Sequence, residues 1–238
     1  MDSLTQADPP DRFYRRHLPH WQPAAAMIFL TWRLYGSLPS DALARLEAER
    51  RELNRQPERP DETPRDRALR HSKGLFALED KMLAQEAAGP KWLADAAIAR
   101  LMADALFHHH GHLYTLLAFV VMPNHVHALL VPLGRPPAAG SDTAGPSSPF
   151  ALPRITQSLK GYVAREANRL LGRTGLPFWQ QESYDHWVRN EAEVRRVVTY
   201  IESDPIRHDL AGIPEEWRWS SAWERAYSRL RDEDGGLG

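Results

Sequence analysis

Short apolar stretches alternate along the chain with segments of helical periodicity. Four stretches rich in aliphatic and aromatic residues, each bounded by turn-forming or polar residues, predict β-strands. They lie at residues 25–35, 113–121, 126–131 and 183–188. The turn-like Met122-Pro123-Asn124 separates the second strand from the third, and Pro132 ends the third.

Helical spacing of apolar residues predicts helices at 41–55, 75–86, 95–108, 153–171 and 191–204, the last of them stopped by Pro205. If the helical region before residue 113 is one elaborated crossover, the element order is β-α-β-β-α-β. That order is typical of the split βαβ arrangement. We therefore predict an α+β fold with a ferredoxin-like split βαβ core, an antiparallel sheet with helices on one face, and a further C-terminal helix.

The composition is that of an ordinary globular domain and removes several classes of site. Of the 238 residues, 42% are hydrophobic and 26% are charged, which fits one large domain. The absence of cysteine excludes disulfides, Cys-ligated zinc and thiol catalysis. No apolar run approaches 18 residues and the N-terminus lacks the apolar core of a signal peptide, so we expect a cytoplasmic protein without a membrane span.

Three segments are expected to lie outside the packed core. Residues 1–20 form an N-terminal extension, and 134–148, rich in Gly, Pro, Ala and Ser, is a flexible insertion. Residues 224–238 comprise a helix end and a tail that is expected to be disordered from about residue 232.

Two histidines at the start of the third predicted strand are candidate metal ligands. Residues i and i+2 of a strand point to the same face, so His125 and His127 can share one ion while Val126 turns away. Two histidines that simply fill a sheet surface are an equally good interpretation of this pair alone. The nearby run 108–112 (HHHGH) lies at a helix end, where histidines suit the helix dipole, and we expect it to be structural.

The last predicted helix carries a phenol and a carboxylate on one side. Tyr200 and Asp204 are four residues apart, one turn, on the flank of an apolar stripe that is expected to pack on the sheet. Both can therefore face a ligand bound beside the sheet. The alternative is a boundary tyrosine and a solvated helix-end aspartate.

Several motifs occur in an order and spacing that resemble one family. They are Met122-Pro123-Asn124-His125-Val126-His127, Ser158-Leu159-Lys160-Gly161-Tyr162, Phe178-Trp179-Gln180, Tyr184-Asp185, Tyr200-Ile201-Glu202 and Trp217-Arg218-Trp219-Ser220-Ser221. Together they resemble the histidine–hydrophobe–histidine (HUH) single-tyrosine transposases, most closely those associated with repetitive extragenic palindromes (REP). The resemblance extends over residues 21–223, with 134–148 as an insertion, and implies one transposase domain.

The resemblance implies that Tyr200, on a C-terminal catalytic helix, is the nucleophile that cleaves single-stranded DNA and forms a 5′-phosphotyrosine; Tyr162 and Tyr184 have no such role in the family. It implies that His125, His127 and Asp204 hold Mg²⁺ or Mn²⁺. Family members commonly have Asn or Gln where this chain has Asp204, which puts the metal preference in doubt.

The implied partner is single-stranded or hairpin DNA with palindromic repeats, bound by a monomer or a homodimer. The net charge is only −1, so DNA affinity would depend on local patches such as the predicted helix 153–171. Its basic residues, expected near the DNA backbone, are Arg154, Lys160, Arg165 and Arg169. On charge alone a solvated helix face is as good an interpretation.

Two other functions fit parts of the sequence. One is a domesticated protein that binds a hairpin without cutting it, against which the intact His125, His127 and Tyr200 argue. The other is a small-molecule metal hydrolase, which would need further ligands at a spacing that the sequence does not show.

Overall fold

The structure is a computed structural model that describes residues 12–15, 19–22, 27–57, 59–85, 89–133 and 151–234. Its strands are β1 (Arg12–Arg15), β2 (Pro19–Gln22), β3 (Met27–Arg33), β4 (Tyr114–Val121), β5 (His125–Pro132) and β6 (Tyr184–Val188). Its helices are α1 (Ser40–Arg55), α2 (Pro64–Gln85), α3 (Ala96–His109), α4 (Ala151–Leu170), α5 (Glu191–Arg207) and α6 (Ser221–Asp234), with 3₁₀ turns at Trp92–Ala94 and Pro214–Glu216. The predicted insertion 134–148 lies outside the described residues.

The main sheet has four strands in the order β4-β5-β3-β6, and every neighbouring pair is antiparallel. The first and third of these strands in chain order occupy the centre, as a split βαβ arrangement requires. The predicted α+β class is therefore confirmed. β1 and β2 pair with each other as a separate antiparallel ribbon that begins within the expected extension, residues 1–20, and ends just past it at Gln22.

The two faces of the sheet have different coverings. On the first, which we call the apolar face, Leu30 and Trp32 of β3 and Val126 of β5 join α3 and α4 in one buried cluster. The two crossover helices thus lie on one face, as predicted. On the second, the site face, Phe29 of β3 packs with Ile201 of α5 and with other apolar residues of the sheet.

Helix α2 also lies on the site face. Its Phe76 stacks on Tyr184 of β6 with ring centroids 4.2 Å apart, and it meets Phe29 edge to face at 5.5 Å. The chain between β3 and β4 is thus not a single crossover. Helix α3 packs on the apolar face together with Leu93 of the 3₁₀ turn, while α2, which begins at Pro64 rather than near residue 75, covers part of the opposite face.

Strand β4 contains a bulge. Its pairing with β5 shifts between Leu116 and Ala118, so that Leu117 has no partner in the register and is partly exposed. Leu116 contacts the cluster on the apolar face and Ala118 belongs to the site face. The extra residue explains why the strand's sequence does not alternate cleanly.

The prediction that Pro205 stops the last helix is wrong. α5 continues to Arg207, because a proline removes only its own backbone N–H and the next turn is closed by other bonds. His208 N donates to Asp204 O at 3.2 Å and Leu210 N donates to Pro205 O at 2.8 Å. The extra turn carries Arg207 to the side of the helix that bears Asp204.

α6 is helical through Asp234 and so includes the first residues of the predicted tail. Among the described residues, no helix is both long and apolar enough to cross a membrane.

Candidate metal centre

His125 and His127 lie side by side on the site face of β5, as the strand spacing predicted. Both side chains are completely buried, and their rings are 4.7 Å apart. Val126 between them joins the cluster on the apolar face. The alternation of one strand therefore separates two potential ligands from the core residue that holds them in place.

The outer nitrogen of each imidazole is held by a neighbouring side chain. Nδ1 of His125 donates to Oδ1 of Asn124 at 2.7 Å, and Nδ1 of His127 shares a hydrogen bond with Oγ1 of Thr31 at 2.7 Å. Asn124 is itself oriented by its Nδ2, which donates to Leu83 O. These bonds fix both rings with Nε2 towards a common space, the usual support for metal-binding histidines.

Asp204 of α5 meets both histidines. Its Oδ2 lies 3.1 Å from Nε2 of His125 and 3.5 Å from Nε2 of His127, and the side chain is fully buried. Its Oδ1 contacts His208 Nε2 at 3.3 Å and is hydrogen bonded by Arg207. Although burial opposes ionisation, the facing imidazoles of His125, His127 and His208 hold the pKa of Asp204 well below its usual range.

A fourth potential ligand, Asp80 of α2, was missed by the sequence analysis. Its Oδ1 lies 3.4 Å from Nε2 of His127, and one ligand atom from each of Asp80, His125, His127 and Asp204 can be chosen so that all lie within 4.8 Å of one another. No local signal marks Asp80, since it is one acidic residue in a charged helix 45 positions before His125. Only the packing of α2 on the site face brings it to the histidines.

The donor set fits a divalent cation. With Nδ1 of His125 donating to Asn124, its Nε2 presents a lone pair to the carboxylate of Asp204, and burial lowers the pKa of His125, which opposes protonation there. Nε2 of His127 and Oδ1 of Asp80 are buried and form no hydrogen bond of good geometry. A cation satisfies all of these atoms, and two imidazoles with two carboxylates form a suitable ligand set.

Without such an ion, a proton is the available substitute. Burial disfavours the charged imidazole, but the carboxylates of Asp204 and Asp80 outweigh it and raise the pKa of His127 to about 9. The two carboxylates thus favour a positive charge at this buried position, whether a proton or a metal ion carries it.

Tyr200 lies against the cluster. Its ring is 5.4 Å from that of His127 and 5.8 Å from that of Phe29, and the guanidinium of Arg207 lies 4.0 Å from the ring centroid. The hydroxyl is buried and forms no hydrogen bond of good geometry. Burial and the nearby Asp80 carboxylate raise the pKa of Tyr200 above its usual value, so the resting group is a neutral phenol.

The two other candidate tyrosines are placed differently. Tyr162 lies on α4, beyond the apolar face, and is 44% exposed. Tyr184 is buried on the site face, where its ring stacks on Phe76.

The predicted DNA-binding residues do not join this cluster. Arg154, Arg165 and Arg169 lie on the exposed side of α4, and the last two pair with Glu166. Lys160 donates to the backbone oxygens of residues 180 and 181 and to Oγ of Ser183, so it also secures the loop before β6. Because α4 packs on the apolar face, the sheet separates these residues from the four potential ligands.

Two residues of the histidine run have structural contacts, as expected for that run. His109 Nε2 shares a hydrogen bond with Ser158 Oγ at 2.9 Å, which ties α3 to α4. His110 Nδ1 accepts from Leu116 N at 2.9 Å.

No family model and no curated protein matches the chain. Among solved structures, it is similar to a REP-associated tyrosine transposase bound to a REP hairpin, with a TM-score of 0.45, 15% sequence identity, and coverage of 91% of this chain and 85% of that one.

Proposed function

We propose that the protein is a metal-dependent enzyme that cleaves and rejoins single-stranded DNA through Tyr200, as transposases of the single-tyrosine type do. One observation carries the proposal. A tyrosine lies one helical turn before a buried carboxylate and against the ring of the buried His127, so a nucleophile adjoins a candidate divalent-cation site. The proposed cofactor is Mg²⁺ or Mn²⁺, and two imidazole ligands favour Mn²⁺ over Mg²⁺.

The proposed reaction conserves bond energy. The Tyr200 oxygen attacks the scissile phosphorus as the phenol loses its proton, and a bond forms between them. The bond from phosphorus to the 3′ oxygen breaks and that oxygen takes up a proton, which leaves a 5′-phosphotyrosine and a free 3′-OH. Attack by a 3′-OH on this intermediate reverses the step and joins strands. A divalent ion held by His125, His127, Asp204 and Asp80 would supply positive charge to the phosphate oxygens.

Two side chains near Tyr200 bear on its proton and on the charge that develops at the phosphate. The raised pKa of Tyr200 means that its proton must leave as the oxygen attacks, and the Asp80 carboxylate is close enough to influence that phenol. Arg207, whose guanidinium lies over the Tyr200 ring, brings a permanent positive charge to the same place.

The DNA partner is proposed to be a hairpin with a single-stranded flank. Single-stranded DNA would reach Tyr200 on the site face, while the exposed arginines of α4 would contact the duplex stem around the edge of the sheet. The chain is proposed to bind this DNA as a monomer or a homodimer.

The decisive experiment compares Tyr200→Phe with Tyr162→Phe, a matched change on an exposed tyrosine. With Mn²⁺ and a hairpin-bearing single strand, the wild type and Tyr162→Phe should form a covalent adduct that mass spectrometry locates at residue 200, whereas Tyr200→Phe should bind the DNA and form none. An adduct in Tyr200→Phe would contradict the assignment. Binding without an adduct in the wild type would instead support a non-cleaving DNA-binding protein.

A further inference from the structure

A groove between α2 and α5 opens beside Tyr200. It has a volume of about 340 Å³ and is lined by Phe76, Asp80 and Lys81 from α2, by Tyr200 and Arg207 from α5, and by the adjoining His208. That volume is at the lower end of the range for small-ligand sites, about 300–1,000 Å³. The groove therefore has room for a small group next to the phenol.

The basic side chains of the groove come from two elements. The Arg207 side chain is 40% exposed and covers the Tyr200 ring, while His208 lies behind it against Asp204. Lys81 is exposed on α2, so a basic residue stands on either side of the opening.

The acidic side chains beside the groove are engaged with other groups. Asp204 faces both histidines of the metal centre, and Asp80 faces His127 on one side and Arg207 Nη1, at 3.6 Å, on the other. A cation in the metal centre would neutralise these carboxylates further. Such a cation would compete with Arg207, which pairs with both carboxylates, so that its guanidinium and Lys81 could both face an anion in the groove.

The buried hydroxyl of Tyr200 gives an independent reason for an oxygen-rich ligand. It makes no hydrogen bond of good geometry within the protein, although a buried hydroxyl normally has a partner. A phosphate oxygen in the groove could accept that hydrogen bond and, at the same time, bonds from Arg207 and Lys81. Phosphate oxygens pair well with both kinds of cation.

We infer that this groove is the entry and binding site for the phosphodiester that Tyr200 attacks, with Arg207 and Lys81 as the residues that hold its non-bridging oxygens. The inference rests on the proposed function for the reaction, but not for the binding of phosphate. It gives the single strand a route between α2 and α5 to the phenol, on the side away from the sheet.

Binding and cleavage can be tested separately on the full-length protein. Thymidine 3′,5′-bisphosphate, which contains no phosphodiester to cut, is titrated calorimetrically at low salt with and without Mn²⁺. Lys81→Ala should weaken its binding about 10-fold, as expected for loss of one charge-assisted hydrogen bond, and Arg207→Gln by at least as much. Controls are Lys91→Ala, an exposed lysine outside the groove, and Arg195→Gln, on a 72% exposed arginine of α5 that pairs with Glu191.

Because Arg207 contacts Asp204, the Lys81 variant gives the cleaner result. Its affinity for Mn²⁺ should equal that of the wild type, while its rate of hairpin cleavage falls in parallel with bisphosphate binding. Equal bisphosphate affinity in the wild type and Lys81→Ala, or no binding to either, would overturn the inference. Loss of binding in Lys81→Ala without any cleavage by the wild type would support the phosphate site and refute the proposed function.

Discussion

The two faces of the central sheet are built from the same strands and differ in almost everything else. On the apolar face, Trp32 and Val126 contribute to a continuous hydrocarbon core with α3 and α4. One residue away on each strand, Thr31 and His127 are also buried but form a polar pair on the site face. At this point of the sheet both faces are buried, and they differ in the chemistry of the buried groups.

The difference shows where stability and reactivity come from. Apolar burial stabilises without directional requirements, whereas a buried ionisable group costs free energy unless its neighbours compensate it. On the site face the compensation is mutual, since each carboxylate faces an imidazole and each imidazole has a second partner. Such a cluster can serve as a binding site because apolar packing, on the opposite face and elsewhere on the site face, supplies stability.

The largest effect on folding is expected from a deletion on the apolar face. Leu159 of α4 is 1% exposed, so Leu159→Ala should lower the free energy of unfolding by about 2–5 kcal/mol. Urea denaturation measures this, and Mn²⁺ affinity, from calorimetry on the folded variant, should stay at the wild-type value. A large loss of metal affinity would show that the faces are not independent.

The site face should gain its stability from a ligand. Mn²⁺ at about 100 times its dissociation constant should raise the free energy of unfolding by about 2.7 kcal/mol, because only the folded chain assembles the ligands. His125→Ala should abolish the increase, and EDTA should reverse it in the wild type. If Mn²⁺ left the melting temperature of the wild type unchanged, the cluster would not be a metal site.

Two buried asparagines, one on each side of the sheet, allow a matched test of ligand support. Asn124→Ala removes the acceptor for His125 Nδ1 and should weaken Mn²⁺ binding about 10–100-fold. Asn168→Ala removes a bond to Leu176 O on the α4 side and should cost stability with no change in Mn²⁺ affinity. Equal effects on affinity would assign Asn124 a general structural role.

The smallest effect concerns a polar pair of the site face that lies apart from the metal centre. Burial opposes ionisation of Glu193, but bonds from His186 Nε2, Arg189 N and Lys73 lower the pKa of Glu193 to about 2. Since this folded-state pKa lies below the usual value, the stabilisation is present above about pH 4.5 and is lost as the pH falls towards 2.

Glu193→Gln should therefore lower the free energy of unfolding by on the order of 1 kcal/mol at pH 7, after allowance for partial exposure, and by progressively less in acid. Denaturation curves at pH 7, 4 and 3 measure the difference, with Glu191→Gln, an exposed residue of the same helix, as the control. A difference that grows in acid would contradict the assignment.

Much of the site followed from local periodicity. The strand repeat placed His125 and His127 together, and the helix repeat placed Tyr200 on the edge of an apolar stripe, one turn from Asp204. These relations depend on the geometry of one element at a time, which the sequence determines directly.

The relations between elements were harder to predict. Asp80 joins the cluster only because α2 crosses the site face, and Arg207 joins it because α5 tolerates Pro205. The basic side of α4 was predicted from its charge, but a helical pattern by itself does not state which face of the sheet the helix covers. Here α4 packs against Val126, on the side opposite to the histidines.

Because of its bulge, the edge strand β4 contains one residue more than its pairing with β5 requires. Leu117 is the residue in excess, so a chain that lacked it would place Leu116 and Ala118 as direct neighbours on opposite faces, the regular strand pattern. Loss of this residue would therefore leave the core side chains of β4 on their own sides of the sheet. The same deletion in β5 would shift the strand by one residue and exchange His127 with Val126, so the central strand does not have this freedom.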